Sequence, residues 1–180
     1  MNILSFYIGG HDSNAVIVRD GVVQYFKAER LMQHKHKRAT IEWVKELCDN
    51  EQFVPEVVCF SDGNRNGLGI CEEGTLYEQV APLNLFPTCE TYCIDHHYAH
   101  ILSAWMVTKK PIAYGVCIDG KGDHLVRCSV IEEPYSLTKA AFRFKTTNYA
   151  YCMVFNEIGK RMGLDGGELD YAGKIMGAHA

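Results

Sequence analysis

Two short apolar runs near the N-terminus, Ile3-Leu4-Ser5-Phe6-Tyr7-Ile8 and Ala15-Val16-Ile17-Val18, flank the turn-forming segment Gly9-Gly10-His11-Asp12-Ser13-Asn14. Runs of this length, rich in β-branched and aromatic residues and separated by turn formers, read as strands of a hairpin. Asp20-Gly21 turns the chain into a third run, Val22 to Ala28. A chain that opens with three antiparallel strands must find something to cover them. Thr40 can cap a helix through Ile41, Val44, Leu47 and Cys48, whose spacing sets an apolar stripe against a sheet. Val57-Val58-Cys59-Phe60 follows as a buried strand.

From Ser61 to Glu90 periodicity fades. Asp62-Gly63-Asn64 and Asn66-Gly67-Leu68-Gly69 are turn signals, Pro82 and Pro87 are breakers, and the segment is expected to be an irregular surface insertion without a regular element. Order returns with a strand over residues 92–95 and a helix continuing through residues 101–107. A strand over 112–118, a further ribbon from 125–131 and 140–145, and a helix over about 149–162 complete the reading, and no internal repeat is evident. Three strands, a helix, a strand, a helix and more strands give an α/β fold. The order is that of one half of an actin-like, ribonuclease-H-like (ASKHA) nucleotide-binding fold, a mixed sheet with three antiparallel opening strands and flanking helices.

The chemistry concentrates in Asp95-His96-His97-Tyr98-Ala99-His100. At i,i+4 on a helix two side chains are neighbours, so His96 and His100 can bring neutral imidazole nitrogens to one ion. The following strand delivers Asp119 into the glycine-rich turn Asp119-Gly120-Lys121-Gly122-Asp123, where a carboxylate can supply a third ligand. The helix start beyond a strand end is where α/β proteins place their chemistry. Taken alone, an HxxxH pair is more often a set of capping or surface residues, and the carboxylate at the strand tip is what shifts the balance.

Composition bounds the rest. One hundred and eighty residues with a 47% hydrophobic fraction suit one packed domain. A net charge of −4 argues against a general nucleic-acid binder, although Gln33-His34-Lys35-His36-Lys37-Arg38 is a compact basic cluster that can meet phosphate or stand as a solvated loop. The eight cysteines contain no CxxC pair, and several lie in apolar runs where free thiols act as small hydrophobes, which points to a reducing compartment. No basic residue precedes Arg19 and no apolar run reaches membrane-spanning length, so neither a signal peptide nor a membrane helix is expected, and the expected location is the cytoplasm. Trp43, Trp105, Met106 and Phe155 lie at helical spacings among aliphatic neighbours and are expected in the core, and Cys89 and Cys93 are expected as buried thiols.

Five segments in one order resemble the carbamoyltransferase family, whose members carbamoylate nodulation factors, cephem antibiotics and aminoglycosides. They are Gly10-His11-Asp12-Ser13-Asn14-Ala15, Ala28-Glu29-Arg30 with Lys35-His36, Asp95 to His100, Ile118 to Asp123, and Gly167-Glu168 with Gly173-Lys174-Ile175-Met176-Gly177. The resemblance implies an enzyme that makes carbamoyl adenylate from carbamoyl phosphate and ATP and passes the carbamoyl group to a hydroxyl of a small-molecule acceptor. It implies that residues 1–180 are the N-terminal lobe of a Kae1-like module whose second lobe and YrdC-like domain are absent here and would act in cis or in trans. It also implies a metal, iron(II) by the family's habit with zinc as the alternative, held by His96, His100 and Asp119. Those two imidazoles and one carboxylate suit either ion on ligand chemistry alone.

Further roles follow from the same resemblance. His11 would contact the carbamoyl group or the acceptor, Asp12 would orient the acceptor hydroxyl or take its proton, and Lys35 would stabilise phosphate charge. Gly9, Gly10, Gly120, Lys121 and Gly122 would bring backbone amides to the anion, because glycine permits close approach, and Glu168 and Lys174 would line the nucleotide cleft. Read locally, the same glycines, His11 and Asp12 simply close turns. The acceptor is not legible in the sequence. Two rival readings are a catalytically silent actin-like binding module and a tRNA threonylcarbamoyl-transfer protein of the Kae1 kind. Apolar surface left where a second lobe would pack predicts self-association of the isolated chain.

Overall fold

The computed structural model describes residues 1–8, 12–34, 38–61, 67–108, 113–119, 122–126, 128–134, 136, 141–144 and 157–164. The chain runs β1 (Ile3–Tyr7), β2 (Asn14–Arg19), β3 (Val22–Lys27), α1 (Ala28–Leu31), α2 (Ile41–Asn50), β4 (Val57–Ser61), β5 (Tyr77–Val80), β6 (Glu90–Ile94), α3 (His96–Thr108), β7 (Tyr114–Ile118), β8 (Cys128–Glu132) and β9 (Ala141–Phe144). It divides into two compact units, Met1–Ala99 and His100–Ala180, with the boundary inside α3.

The first unit is built on a six-stranded sheet in the order β3-β2-β1-β4-β6-β5. β1 pairs antiparallel with β2, setting Leu4 opposite Ile17 and Phe6 opposite Ala15, and parallel with β4, setting Leu4 level with Val58 and Phe6 level with Phe60. β4 and β6 are parallel, and β5 closes the edge antiparallel to β6. Three antiparallel strands followed by two parallel to the first, with β5 added at the edge, is the ribonuclease-H-like topology of an actin-like lobe. Alternation explains the layering. Leu4, Phe6, Ala15, Ile17, Val58, Phe60 and Cys93 are buried on one face together with Val44, Leu47 and Cys48 of α2. The Thr40 hydroxyl oxygen accepts the Trp43 N–H at 3.4 Å, the N-cap expected from the sequence.

Some expectations are corrected here. The segment from Ser61 to Glu90 holds a regular element after all, the four-residue β5, which owes its form to hydrogen bonds along β6 rather than to its own pattern. Ala28 is not the end of the third strand but the start of α1. Met106 is 64% exposed rather than core, while Trp43 and Trp105 are half-buried and Phe155 lies outside the described residues.

The second unit carries a three-stranded antiparallel sheet, β7-β8-β9. Gly115 and Cys117 of β7 are buried with Ser129 and Ile131 of β8, whereas Tyr114, Val116 and Ile118 are more than half exposed on the other face. This meander repeats the order and directions of β1-β2-β3, so both units open alike, a repeat that shared strand topology reveals and residue identity does not. The cysteines at 48, 59, 89, 93 and 128 are free thiols. Among the described residues, no helix is long and apolar enough to cross a membrane.

Candidate metal centre

β6 ends at Ile94 and α3 begins two residues later, so Asp95 stands at the joint. Its Oδ1 accepts the Tyr98 N–H at 2.9 Å, and its carbonyl accepts the Ala99 N–H at 2.9 Å. Its own N–H donates to the Leu76 carbonyl at 2.8 Å. Asp95 therefore satisfies the first turn of α3 with side chain and backbone, and its carboxylate sits at the positive end of the helix. Burial of His97 and Tyr98, each 1% exposed, fixes which side of that turn faces inward and leaves His96 and His100 on the accessible side.

His96 and His100 are one turn apart on the same helix, and Asp119 follows the last residue of β7. Nitrogens of the two imidazoles and a carboxylate oxygen of Asp119 all lie within 4.8 Å of one another, an arrangement that can hold a metal ion. The His100 Nε2 to Asp119 Oδ2 distance is 3.9 Å. Among the described residues the donor set is two nitrogens and one oxygen, which suits zinc or iron(II). The Tyr7 ring lies 5.6 Å from the His96 ring at an interplanar angle of 54°.

Asp12 lies at the end of the β1–β2 connection with φ of 56°, in the left-handed region. Its Oδ1 is 2.9 Å from the Lys27 ammonium, and Lys27 is also 2.9 Å from Glu29 Oε1. Hydrogen bonds that the Lys27 ammonium donates, first to Glu29 and then to Asp12, push its pKa well above its ordinary value. The carboxylate expected to handle the acceptor hydroxyl is thus tied to a lysine that the sequence reading passed over. Gly122 is buried, and its N–H donates to the Val126 carbonyl at 2.9 Å, so this glycine shapes the loop with an amide that the loop itself occupies. Beyond it, His124 and Leu125 have φ of 52° and 63°, two successive non-glycine residues in a sparsely populated region.

Of the residues expected in the site, the structure brings together His96, His100 and Asp119 and places Asp12 and Gly122 as described. Gly9, Gly10, His11, Lys35, Gly120, Lys121, Glu168 and Lys174 lie outside the described residues. Asp95, Tyr7 and Lys27 were missed. Asp95 was legible as an N-cap residue just before a helix, but no local pattern marks Tyr7 or Lys27.

No protein-family model matches the sequence, and no curated protein matches it. Among solved structures, the chain is similar to the crystal structure of the Aquifex aeolicus member of the Ppx/GppA protein family, at 10% sequence identity and a TM-score of 0.40. The alignment covers 87% of this chain and 54% of that one, so the chain spans about half the length of that protein.

Proposed function

We propose that this chain is part of an O-carbamoyltransferase that passes a carbamoyl group from carbamoyl adenylate to an acceptor hydroxyl. The observation that carries the reading is the grouping of His96, His100 and Asp119 within 4.8 Å, combined with the order of motifs in the sequence. In the transfer, the acceptor oxygen forms a bond to the carbamoyl carbon, the bond from that carbon to the phosphate oxygen breaks, AMP leaves, and the hydroxyl proton passes to a base. A divalent metal, iron(II) or zinc, would supply charge stabilisation at the leaving phosphate.

The chain's own residues have separate tasks in this reading. His96 and His100 offer neutral nitrogens, Asp119 offers one charged oxygen, and Asp95 anchors the turn that spaces the imidazoles. Asp12, held by Lys27, orients the acceptor hydroxyl. The exposed apolar face of Tyr114, Val116 and Ile118 favours a module whose remaining lobe packs there, supplied in cis or in trans, and it equally favours self-association of the chain alone. Free thiols among the described residues, Cys48, Cys59 and Cys89 included, favour a reducing compartment, which we take to be the cytoplasm.

The test is metal content after anaerobic purification of the wild type, His96→Ala and Asp119→Ala. The wild type retains close to one equivalent and both variants lose it. Equal metal in all three refutes the ligand set and with it the reading.

A further inference from the structure

β4 ends at Ser61, a residue 7% exposed whose buried hydroxyl has no hydrogen-bond partner among the described residues. Buried hydroxyls are ordinarily bonded, because leaving one unpaired after removal from water costs stability. The position is specific. Ser61 is level with Tyr7 in the parallel β1–β4 pair, and level positions share a face of the sheet. Phe60 is level with Cys93, so Ser61 sits beside Ile94, two residues before α3 starts. Tyr7 in turn carries its ring against His96. Ser61 therefore lies at the carboxyl ends of β1, β4 and β6, the edge at which open α/β sheets bind ligands.

The neighbours define the ligand's chemistry. The first turn of α3 carries the positive end of a thirteen-residue helix, where the Asp95 carboxylate already takes the Tyr98 N–H and the remaining field of the turn favours an anion. A serine hydroxyl without a protein partner is a donor for an anion's oxygen. We propose that Ser61 is a binding residue whose hydroxyl donates to a phosphate-type oxyanion held beside His96. This deepens the carbamoyl-adenylate reading, on which the choice of a phosphate ester rests, by assigning one of its phosphate contacts to the tip of β4.

A functional hydroxyl and a structural one make opposite predictions for the ligand-free protein. Removing an unpaired buried hydroxyl relieves a desolvation cost, whereas removing a bonded one breaks a contact. The experiment titrates inorganic phosphate by calorimetry into the wild type, Ser61→Ala and Ser61→Thr, with and without manganese(II), and records thermal unfolding of each. Ser61→Ala is expected to bind phosphate at least about tenfold more weakly, as loss of a hydrogen bond to a charged group implies. It should melt no lower than the wild type and bind manganese unchanged, and Ser61→Thr should retain phosphate affinity.

Wild-type phosphate affinity in Ser61→Ala, or no phosphate binding by the wild type, overturns the proposal. So does a variant that melts lower and loses metal and phosphate together, which would make the hydroxyl structural. Should the wild type take up no manganese while the phosphate contrast persists, the metal-centre reading fails and the Ser61 contact stands.

Discussion

Gly115 of β7 passes so close beneath Ile101 of α3 that a Cβ on the glycine would lie 2.2 Å from Ile101 Cγ2. The spacing of His100 and Asp119 depends on this approach, because His100 immediately precedes Ile101 and Asp119 follows the end of the same β7 strand. Cγ2 is fixed to a β-branched carbon with few rotamers, so a methyl at Gly115 is accommodated by moving helix from strand.

Gly115→Ala should therefore destabilise the fold by about 1–3 kcal/mol, the usual range for overpacking. It should also weaken metal binding by separating His100 from Asp119. Adding Ile101→Ala should recover part of both losses, a coupling that urea unfolding and metal titration of the double-mutant cycle will measure.

Asp95→Ala removes the acceptor of the Tyr98 N–H at the head of α3. Loss of a helix cap of this kind costs about 0.5–2 kcal/mol, and Asp95→Asn or Asp95→Ser should recover most of it. Since His96 is the first residue of the helix, fraying should lower metal affinity in the alanine variant more than in the asparagine one. Paired denaturation and metal titrations check both statements.

Lys27→Met cuts the two 2.9 Å contacts to Asp12 and Glu29. Because the lysine remains partly solvated, the stability cost should be at most about 1 kcal/mol. The folded pKa of Lys27 is raised above the ordinary lysine value of 10.5, chiefly by the hydrogen bond to Glu29 and next by that to Asp12. Its contribution is thus fully present below about pH 10 and disappears as pH rises through the elevated folded value. The stability gap between wild type and Lys27→Met, followed by urea unfolding from pH 7 upward, should stay level and then close at the alkaline end.

Cys48 is 1% exposed in the core, and burial pushes its thiol from 9.0 up to about 11. The unfolded chain loses that proton first. Stability is therefore unaffected below about pH 8 and declines between the two values, by up to about 2–3 kcal/mol at 1.36 kcal/mol per unit. Cys48→Ala should flatten this alkaline slope while costing about 1 kcal/mol of packing at neutral pH. Part of the slope should persist, because burial raises Cys59 and Cys89 as well. Unfolding midpoints at pH 8 and pH 10.5 decide the matter.

The opening hairpin, the Thr40-capped α2 and the His96/His100 pair were legible because each rests on near-neighbour chemistry: alternation, a cap, or one turn of helix. β5 was not, since Tyr77-Glu78-Gln79-Val80 has no strand pattern of its own and pairs only because β6 offers an edge. Met106 misled for the converse reason. Helical spacing places it on a face, but only the neighbours of α3 determine whether that face is covered.

By itself the sequence determined the opening three strands, α2, β4 and the strand-to-helix step that carries the histidines, the spacing of the two imidazoles, and the arrival of Asp119 at a strand tip, because these follow from local periodicity and turn chemistry. Tertiary structure alone decided that Asp119 meets His100, that Lys27 holds Asp12, and that Ser61 stands level with Tyr7. Those relations join residues 15 to 54 positions apart, and strand register and close packing, which no local pattern encodes, bring them together.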